Sequence, residues 1–444
     1  MKAVIMAGGK GTRLGERTLD TPKPLVPVHG KPVLEHQIDN FARYGIREIW
    51  VVVGHLGEQI EQHLGDGSQY GVSIRYIRED RPLGTAGALH GMKEALGESF
   101  VLAYGDVVFD VNLYKMIDYH YAHHWLGTLA VHPNNHPYDS DVLKVGVDGA
   151  VQAIYPKNEA RSFDYRNCVN AGLFVLRSSI IDHIAPDTKQ DLEKDVLTRL
   201  IKEGAIGAYK TTEYMKDMGT PDRFDKVQAH MAQGVVHAKN LSQKQRAIFL
   251  DRDGTINRYA GLVSHPDELE LEHFVVDALK RINDSPFLCI VITNQPVVAR
   301  NMCTEEEVEH IHDRMETLLG NEGAYVDDIL YCPHHPDRGY PEENIAYKVA
   351  CSCRKPDIGM LMQAASRYNI DLSASYFIGD TTVDIQTGFN AQTTTVLLGT
   401  GLGGSDNKYA IAPDYTAQHL LEAVDGILSG AFGPRSESEY AQHS

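Results

Sequence analysis

The sequence lacks the features that mark secreted, membrane-spanning and nucleic-acid-binding proteins. Its 444 residues include only six cysteines, and no stretch approaches the roughly 20 consecutive apolar residues that cross a bilayer. The apolar run at 1–6 meets glycines at once, which predicts a buried strand rather than a signal peptide. A formal charge of −18 is the opposite of a nucleic-acid binder's basic surplus. We expect a cytoplasmic protein with small-molecule substrates and neither nucleic acid nor membrane as a partner; these features are compatible with a homo-oligomer.

Two successive patterns of alternating strands and helices divide the chain. Short apolar runs and amphipathic stretches predict strands at 3–6, 49–53, 72–77 and 100–103 and helices at 32–44, 84–95 and 223–233. A second pattern predicts strands at 247–250, 288–293 and 376–379. Such alternation is typical of mostly parallel sheets covered on both faces. We predict an α/β protein with two doubly wound domains at 1–233 and 246–430, a linker at 234–245 and a disordered tail at 431–444.

A glycine-rich loop follows the first strand, in the run Gly8-Gly9-Lys10-Gly11-Thr12-Arg13. Glycines at a strand end let backbone amides approach a phosphate chain, and a helix that begins there adds its positive end. Arg13 and Lys23, the latter within Pro22-Lys23-Pro24, would neutralise a triphosphate. The loop and this block together resemble the signature of the sugar-nucleotide pyrophosphorylases. Members of this family have a doubly wound, Rossmann-like nucleotide-binding fold of the GT-A type.

The resemblance assigns roles to further residues of the first half. It places Gly84 and Thr85 near the base and ribose, and makes Asp106 and Asp217 the ligands of a magnesium ion. A sugar 1-phosphate is already an anionic nucleophile, so it would attack the α-phosphorus of the triphosphate in line and release pyrophosphate. Arg13, Lys23 and magnesium would stabilise the charge that develops.

The resemblance also implies a sugar pocket. The run Val169-Asn170-Ala171-Gly172 is similar to the family's sugar-pocket strand, with Asn170 facing hydroxyls and Gly172 beside it. Lys157 would reach the sugar phosphate. Relatives usually carry a Glu-Lys pair before this strand, whereas here Pro156 precedes Lys157. The reaction is therefore predicted more firmly than the sugar.

Four short motifs follow one another in the second half: Asp251-Arg252-Asp253-Gly254-Thr255, Thr293-Asn294-Gln295, Arg354-Lys355-Pro356 and Gly379-Asp380 with Asp384. In type and order they resemble the motifs of the haloacid dehalogenase superfamily. Two carboxylates at a spacing of two on a strand end can divide the work of nucleophile and acid. The order of the four motifs is what makes this resemblance specific.

By this resemblance, Asp251 attacks phosphorus to form an aspartyl-phosphate, and Asp253 protonates the leaving oxygen and then activates water. Thr293 and Lys355 hold the phosphoryl oxygens. Magnesium is held by Asp251, the main-chain carbonyl of Asp253, and Asp380.

Two further residues, Asn294 and Arg354, are predicted to contact the substrate of the second half. Two departures from the family pattern bear on that substrate. Pro296 and its neighbour Val297 replace the usual Ser-Gly, and Thr381 stands where a lysine is common. None of these positions holds the nucleophile or a metal ligand.

Three of the six cysteines crowd into 332–353, which indicates metal binding in a reducing compartment rather than disulfides. Cys332, His334, Cys351 and Cys353 form the pattern C-x-H-x₁₆-C-x-C. Three thiolates and one imidazole would saturate a tetrahedral zinc ion, so we predict a structural site. The family pattern favours His334 over His335 as the fourth ligand.

The phosphatase motifs and the cysteine pattern resemble heptose bisphosphate phosphatases and the histidinol-phosphatase domain. The first half resembles the guanylyltransferase of the GDP-heptose branch. We therefore interpret the chain as a bifunctional enzyme that makes GDP-D-glycero-D-manno-heptose from the 1,7-bisphosphate. Alternatives are another sugar 1-phosphate, such as mannose or an amino sugar, with GTP, UTP or CTP, or one half acting as a degenerate regulatory module.

Overall fold

The computed structural model describes residues 1–9, 11–79, 81–339 and 343–435. Contacts within the chain separate two compact units. Unit 1 consists of Met1–His132, Asp141–Pro156 and Cys168–Asn240, and unit 2 of Pro133–Ser140, Lys157–Asn167 and Leu241–Ser444. Unit 2 therefore includes two short segments that lie, in sequence, between strands of unit 1.

Unit 1 is built on a nine-stranded sheet flanked by helices. In the described residues, the strands of unit 1, including those of two smaller sheets, are β1 (Lys2–Met6), β2 (Pro27–Val28), β3 (Lys31–Pro32), β4 (Glu48–Val53), β5 (Ser73–Arg78), β6 (Ser99–Tyr104), β7 (Val107–Asp110), β8 (Gly127–His132), β9 (Val142–Val145), β10 (Val151–Tyr155), β11 (Val169–Arg177), β12 (Ile206–Lys210) and β13 (Tyr214–Asp217). Its α-helices are α1 (Val33–Arg43), α2 (Gly57–Leu64), α3 (Gly84–Gly87), α4 (Lys93–Leu96), α5 (Leu113–Tyr121), α6 (Thr198–Lys202), α7 (Pro221–Ala232) and α8 (Val235–Ala238).

The large sheet has the order β10-β9-β11-β6-β1-β4-β5, with β8 paired to β11 and β12. Strands β5, β4, β1 and β6 are parallel. Strand β11 runs antiparallel to β6 and to β8, which makes this sheet mixed rather than mostly parallel. Strands β7 and β13 form a separate antiparallel pair, as do β2 and β3.

The central strand β1 shows why the apolar runs become strands. Ala3, Val4 and Ile5 are fully buried, and successive side chains of a strand point to opposite faces. Ala3 and Ile5 join the core that includes Leu34 of α1, whereas Val4 joins the core on the other face. Because both faces are covered, the strand is a continuous apolar run without alternation.

Glycines interrupt two of the predicted helical stretches. The helix predicted at 84–95 is instead two single turns, α3 and α4, separated by Gly91 at φ 85°. Residues Thr12–Thr18 form a 3₁₀-helix that is broken at Gly15, where φ is 65°. Glycine adopts these left-handed conformations without the strain that a Cβ brings. The glycine-rich loop therefore leads into a short 3₁₀ turn and not into a long α-helix.

Unit 2 is built on a six-stranded, fully parallel sheet. Its described strands are β14 (Arg246–Leu250), β15 (Phe287–Asn294), β16 (Asp328–Cys332), β17 (Tyr376–Gly379), β18 (Thr394–Leu398) and β19 (Tyr415–Ala417). Its described α-helices are α9 (Val275–Asn283), α10 (Glu305–Asn321), α11 (Gly359–Tyr368), α12 (Thr382–Asn390) and α13 (Leu420–Leu428). The strand order is β16-β15-β14-β17-β18-β19. Among the described residues, no helix has the length and hydropathy needed to cross a bilayer.

The junction and the tail contain more structure than their composition indicates. The stretch predicted as a linker includes α8, whose Val235 and Val236 are buried, and the boundary between the units falls after Asn240. Near the other end, the ring of Phe432 stacks on that of Tyr415 with centroids 4.5 Å apart. Residues 436–444 of the predicted tail lie outside the described residues.

Candidate active sites

A cavity of about 440 Å³ opens in unit 1 beside the carboxyl ends of β1 and β6. Open α/β sheets place their ligands at this edge. Its wall combines both predicted nucleotide motifs with the segment after β6. The predicted site residues in the wall are Gly8, Gly9, Gly11, Arg13, Lys23, Gly84, Thr85 and Asp106.

The turn at Gly84 and Thr85 is held by the main chain of a later segment. Gly84 has φ 77°, and a Cβ there would overlap the carbonyl oxygen of Gln190. The same oxygen accepts a hydrogen bond from the amide of Ala86 at 3.0 Å, and Thr85 Oγ1 accepts one from the amide of Leu192 at 2.8 Å. Glycine is required at 84 because both its conformation and its surroundings exclude a side chain.

Lys23 and Asp106 form an ion pair in the cavity wall. Lys23 is buried, with 7% of its surface exposed, so its ammonium is fixed in place by this contact. Arg13 is exposed and reaches the neighbourhood of Gly219. One buried and one exposed cation thus face the space that a triphosphate would fill.

Of the two carboxylates predicted to bind magnesium in unit 1, Asp106 directly precedes β7 and Asp217 ends β13, the strand paired with β7. Asp217 is the register partner of Val107, the residue after Asp106, and the Asp106 carbonyl accepts from the amide of Met218 at 3.0 Å. Asp217 Oδ1 accepts hydrogen bonds from the Gly219 amide at 2.7 Å and from Arg223 Nη1 at 3.1 Å. Each carboxylate is therefore already matched with a basic side chain.

Asn170 has a partner that the sequence patterns did not reveal. Its Nδ2 donates to Glu193, and its Oδ1 accepts from the Gly172 amide at 3.2 Å. Burial, with the nearby charge of Asp191, raises the pKa of Glu193 to about 7. Asp191 also lines the cavity. Glu193 lies in a π-helical turn, Leu192–Leu197, and no motif that we recognised marks this turn in the sequence.

One predicted residue, Lys157, stands apart from this arrangement. Lys157 belongs to the segments of unit 2, where its Nζ lies 3.6 Å from Asp139 Oδ1. Among the described residues, the cavity wall does not include Lys157. Lys10 lies outside the described residues, and Thr12 begins the 3₁₀-helix after the glycine loop.

In unit 2, a buried lysine joins two carboxylates from different motifs. Lys355 Nζ lies 2.9 Å from Asp251 Oδ1 and 2.5 Å from Asp384 Oδ1. Asp251 directly follows β14, one of the two central strands of the sheet, so it lies at the carboxyl edge. Burial and the charge of Asp384 raise the pKa of Asp251 to about 6, although Lys355 opposes that change.

Asp380 completes a group of three buried carboxylates with Asp251 and Asp384, whose oxygens lie within 4.8 Å of one another. Asp380 Oδ2 accepts from the Leu402 amide at 2.7 Å, whereas Oδ1 is buried and has no hydrogen-bond partner among the described residues. Burial and the neighbouring carboxylates raise the pKa of Asp380 to about 8. Three carboxylates beside one lysine leave excess negative charge, and oxygen ligands suit magnesium. The residues present therefore fit a divalent cation.

Asp253 is held on three sides by polar side chains. Arg252, fully buried, donates from Nη2 to both of its carboxylate oxygens at 2.9 Å. Gln295 Nε2 donates to Asp253 Oδ2 at 2.9 Å, and Asn257 Nδ2 to Oδ1 at 3.0 Å. Gln295 Nε2 also donates to Thr293 Oγ1 at 3.0 Å. This network ties the first motif to the second.

Asn294 and Arg354, predicted to contact substrate, bond to the protein itself. The Asn294 side chain forms two hydrogen bonds with the backbone of Lys355. Its Oδ1 accepts from the Lys355 amide at 3.0 Å, and its Nδ2 donates to the Lys355 carbonyl at 3.2 Å. Arg354 Nη1 donates to the carbonyl of His334 at 3.0 Å. Both contacts fix the segment that carries Lys355.

Thr381, where relatives often have lysine, caps helix α12. Its Oγ1 donates to Asp384 Oδ2 at 2.6 Å, and its amide donates to the same oxygen at 3.1 Å. The Asp384 amide donates in return to the threonine oxygen, which completes a capping box. Asp384 thus lies in the first turn of α12, and its other carboxylate oxygen, Oδ1, contacts Lys355.

The four predicted zinc ligands converge. The sulfur atoms of Cys332, Cys351 and Cys353 lie 3.1–3.5 Å apart, and His334 Nδ1 lies 3.4 Å from the sulfur of Cys353. All four ligand atoms fall within 4.8 Å of one another. His335 instead accepts from the Asp337 amide at 3.1 Å. Three thiols and one imidazole around a single point fit a tetrahedral metal ion.

Comparisons with known proteins match each half separately. Residues 2–234 match the family model of the nucleotidyl transferases, and residues 352–423 match that of the HAD-hydrolase-like proteins. D-glycero-beta-D-manno-heptose-1,7-bisphosphate 7-phosphatase of Yersinia pestis is 40% identical over 162 residues, which are 36% of this chain and 84% of that protein. Mannose-1-phosphate guanylyltransferase of Mycobacterium tuberculosis is 31% identical over 242 residues, which are 54% of this chain and 67% of that protein.

Among solved structures, D,D-heptose 1,7-bisphosphate phosphatase of B. bronchiseptica, complexed with magnesium and phosphate, is similar at 30% identity with a TM-score of 0.37. It covers 42% of this chain and 99% of that chain. The folds and motifs define an enzyme with two α/β catalytic units, a nucleotidyltransferase and a haloacid-dehalogenase-type phosphatase. The chain belongs to the nucleotidyl transferase family over residues 2–234 and, in its second half, to the family of the heptose-bisphosphate 7-phosphatases. The predicted fold class and the two predicted enzyme classes are confirmed.

Proposed function

We propose that the chain makes a GDP-activated heptose in two steps. The phosphatase unit removes the 7-phosphate of D-glycero-D-manno-heptose 1,7-bisphosphate, and the transferase unit joins GMP from GTP to the remaining 1-phosphate with release of pyrophosphate. One observation carries the proposal: one chain combines a nucleotidyl transferase with a relative of a heptose bisphosphatase. The second half is 40% identical to that phosphatase over 162 residues, which are 84% of its length. The product of the phosphatase step is a sugar 1-phosphate, which is the kind of acceptor that the transferase unit would use.

In the phosphatase step, a carboxylate oxygen of Asp251 attacks the phosphorus and the bond to the sugar oxygen breaks. Asp253 gives its proton to that leaving oxygen, then takes a proton from the water that hydrolyses the aspartyl-phosphate. Lys355 and Thr293 hold the phosphoryl oxygens. Magnesium, held by Asp251, Asp380 and the carbonyl of Asp253, would supply positive charge to the phosphoryl group.

Asp384, which the fourth motif includes but to which the sequence assigned no role, extends this scheme. Its oxygen lies 2.5 Å from Lys355 Nζ, which also lies 2.9 Å from Asp251. A lysine shared by two carboxylates stays charged and has a defined direction. We assign Asp384 to orienting Lys355 toward the phosphoryl group, with the Thr381 cap holding Asp384 in turn.

In the transferase step, the sugar 1-phosphate attacks the α-phosphorus of GTP and pyrophosphate leaves. Lys23 and Arg13 stabilise charge on the phosphates, while the glycine-rich loop brings backbone amides close to them. Asp106 and Asp217 would hold magnesium here. Its positive charge would add to that of Lys23 and Arg13 at the phosphates. Because both carboxylates are paired with basic residues, this metal site requires Lys23 and Arg223 to exchange partners when substrate enters.

Glu193 is an acidic residue at the proposed sugar site, beside Asn170, despite Pro156. Glu193 contacts Asn170 and lies beside Asp191, which lines the cavity. Carboxylates and amides bind sugar hydroxyls through paired hydrogen bonds. We assign to Glu193 the hydroxyl contacts that relatives obtain from the missing glutamate.

In unit 2, the cluster of Cys332, His334, Cys351 and Cys353 would hold structural zinc, since four protein ligands leave no open position.

A second candidate substrate is mannose 1-phosphate, because the guanylyltransferase relative of Mycobacterium tuberculosis is named for it. A substrate panel separates the candidates. Purified protein receives heptose 1,7-bisphosphate, heptose 1-phosphate or mannose 1-phosphate with each of GTP, ATP, UTP and CTP, and phosphate and pyrophosphate are measured separately. We expect phosphate from the bisphosphate without nucleotide, and pyrophosphate from heptose 1-phosphate with GTP. Faster pyrophosphate release with mannose 1-phosphate, or with another nucleotide, would overturn the assignment.

A further inference from the structure

Two segments from the transferase part of the sequence are packed into the phosphatase unit. Residues 133–140 and 157–167 lie within the nucleotidyl transferase match at 2–234 but belong to unit 2 by their contacts. They lie against helix α10. A Cβ on Gly320 of this helix would come within 2.5 Å of Pro137. Thr317 Oγ1 accepts from the Tyr165 amide at 2.9 Å and donates to its carbonyl at 3.2 Å.

Arg166 meets an acidic face of α10. Its guanidinium lies 3.1 Å from Glu309 Oε2, 3.7 Å from Asp313 Oδ1 and 3.4 Å from Glu316 Oε2. These three side chains are spaced four and three residues apart, so they share one face of the helix and repel one another. Burial raises the pKa of Asp313 to about 7 even with Arg166 beside it. Arg166 therefore supplies charge that this face of α10 needs in order to stay packed.

The same helix touches the active-site network through His312. This residue is fully buried, and its Nε2 lies 3.4 Å from Arg252 Nη1. A guanidinium can only donate, so His312 accepts this hydrogen bond as a neutral imidazole. Burial and the charges of Arg252 and Arg166 hold the pKa of His312 well below its ordinary value, which agrees with that state. Arg252 in turn grips both oxygens of Asp253.

We propose that Arg166, although it lies in the transferase part of the sequence, is a positioning residue for the phosphatase acid Asp253. It acts by fixing α10, which fixes His312 and through it Arg252. The phosphatase unit is then complete only with residues contributed from within the transferase sequence. This inference rests on the proposed role of Asp253 in the phosphatase step.

The test compares Arg166→Met with Arg314→Met in the full chain. Arg314 lies on the same helix, and its Nη1 lies 3.4 Å from Oδ1 of Asp164 in the same segment. We expect Arg166→Met to lower kcat for phosphate release from heptose 1,7-bisphosphate about tenfold, with KM changed less than about twofold, because a slightly displaced acid slows chemistry more than binding. Transfer from GTP to heptose 1-phosphate should keep its rate, and so should both activities of Arg314→Met.

Compensation distinguishes positioning from a general loss of folding. Glu309→Gln, Asp313→Asn and Glu316→Gln together remove the repulsion, so adding them to Arg166→Met should restore most of kcat. Equal loss of both activities in Arg166→Met, or no recovery in the combined variant, would overturn the inference.

A readout independent of substrate keeps this inference separate from the proposed function. Amide hydrogen exchange at 251–257 should be faster in Arg166→Met than in wild type and unchanged in Arg314→Met. If wild type released no phosphate, the proposed function would fail, and the exchange result would still decide the role of Arg166. Unchanged exchange at 251–257 in Arg166→Met would overturn that role.

Discussion

The ammonium group of Lys355 lies between Asp251 and Asp384, 2.9 Å from one carboxylate and 2.5 Å from the other. All three residues are buried. Removing one partner of a buried ion pair leaves charge that is neither solvated nor neutralised. Lys355→Met should therefore abolish phosphate release and lower the free energy of unfolding by about 3 kcal/mol or more. Denaturant titration and a phosphate assay measure the two effects.

A double variant separates these effects. Lys355→Met with Asp384→Asn removes the second carboxylate, so it should recover part of the lost stability without recovering phosphate release. If the double variant were no more stable than Lys355→Met alone, repulsion between the two carboxylates would not be the cause of the instability.

The turn at Gly84 offers a matched pair of glycine substitutions. Gly84 and Gly91 have φ 77° and 85°, but only at Gly84 would a Cβ overlap a neighbouring backbone, whereas Gly91 faces open space. Both alanine variants should lose about 1 kcal/mol from the left-handed conformation. Gly84→Ala should lose more and should also raise KM for the nucleoside triphosphate. Equal stability and equal KM in the two variants would contradict the tight contact with Gln190.

Glu193 predicts a dependence of stability on pH. Its pKa is raised from 4.5 to about 7 in the folded chain, so the folded state holds a proton that the unfolded state has released between these values. The free energy of unfolding attributable to this group falls as pH rises through that window. The stability of Glu193→Gln relative to wild type should therefore rise by about 3 kcal/mol between pH 4 and pH 8.

Urea titrations at the two pH values measure this gain, with the exposed Glu94→Gln as the control. The same stability difference between Glu193→Gln and wild type at both pH values would contradict the burial of this carboxyl. The variant should also raise KM for the sugar 1-phosphate more than KM for the triphosphate, since Glu193 lies beside Asn170.

The cysteine cluster predicts one tightly held zinc ion per chain. Cys353→Ser should lose that zinc and lower the unfolding temperature of the phosphatase unit, because binding of the metal contributes to folding. Cys168 lies outside the cluster, so Cys168→Ser should keep its zinc and its stability. Metal analysis and calorimetry provide the measurements. Wild type that carries no zinc, or Cys353→Ser that retains it, would exclude the proposed site.

Sequence patterns could predict the candidate site residues that belong to short motifs. Asp251 and Lys355 come from different motifs, and both were predicted because these motifs resemble, in type and order, those of the haloacid dehalogenase superfamily. Cys332 and His334 were predicted because their spacing suits one metal ion. The helix at 84–95 was predicted wrongly, since amphipathic spacing outweighed the effect of Gly91.

Contacts made by the fold could not be predicted in the same way. Glu193 meets Asn170 only because β11 and a later π-helical turn lie side by side. Arg166 meets Asp313 only because a segment between two strands of unit 1 packs into unit 2. Such pairs have no fixed spacing along the chain, so no local pattern marks them.

The central claim is that two separate sites in one chain act in sequence. The most direct test supplies heptose 1,7-bisphosphate and GTP to Asp251→Asn, to Asp106→Ala and to an equal mixture of the two. We predict that Asp251→Asn releases no phosphate yet uses ready-made heptose 1-phosphate, and that Asp106→Ala releases phosphate but no pyrophosphate. The mixture should restore pyrophosphate release and form GDP-heptose. If either variant lost both activities, or if the mixture formed no product, the account of two independent sites would be contradicted.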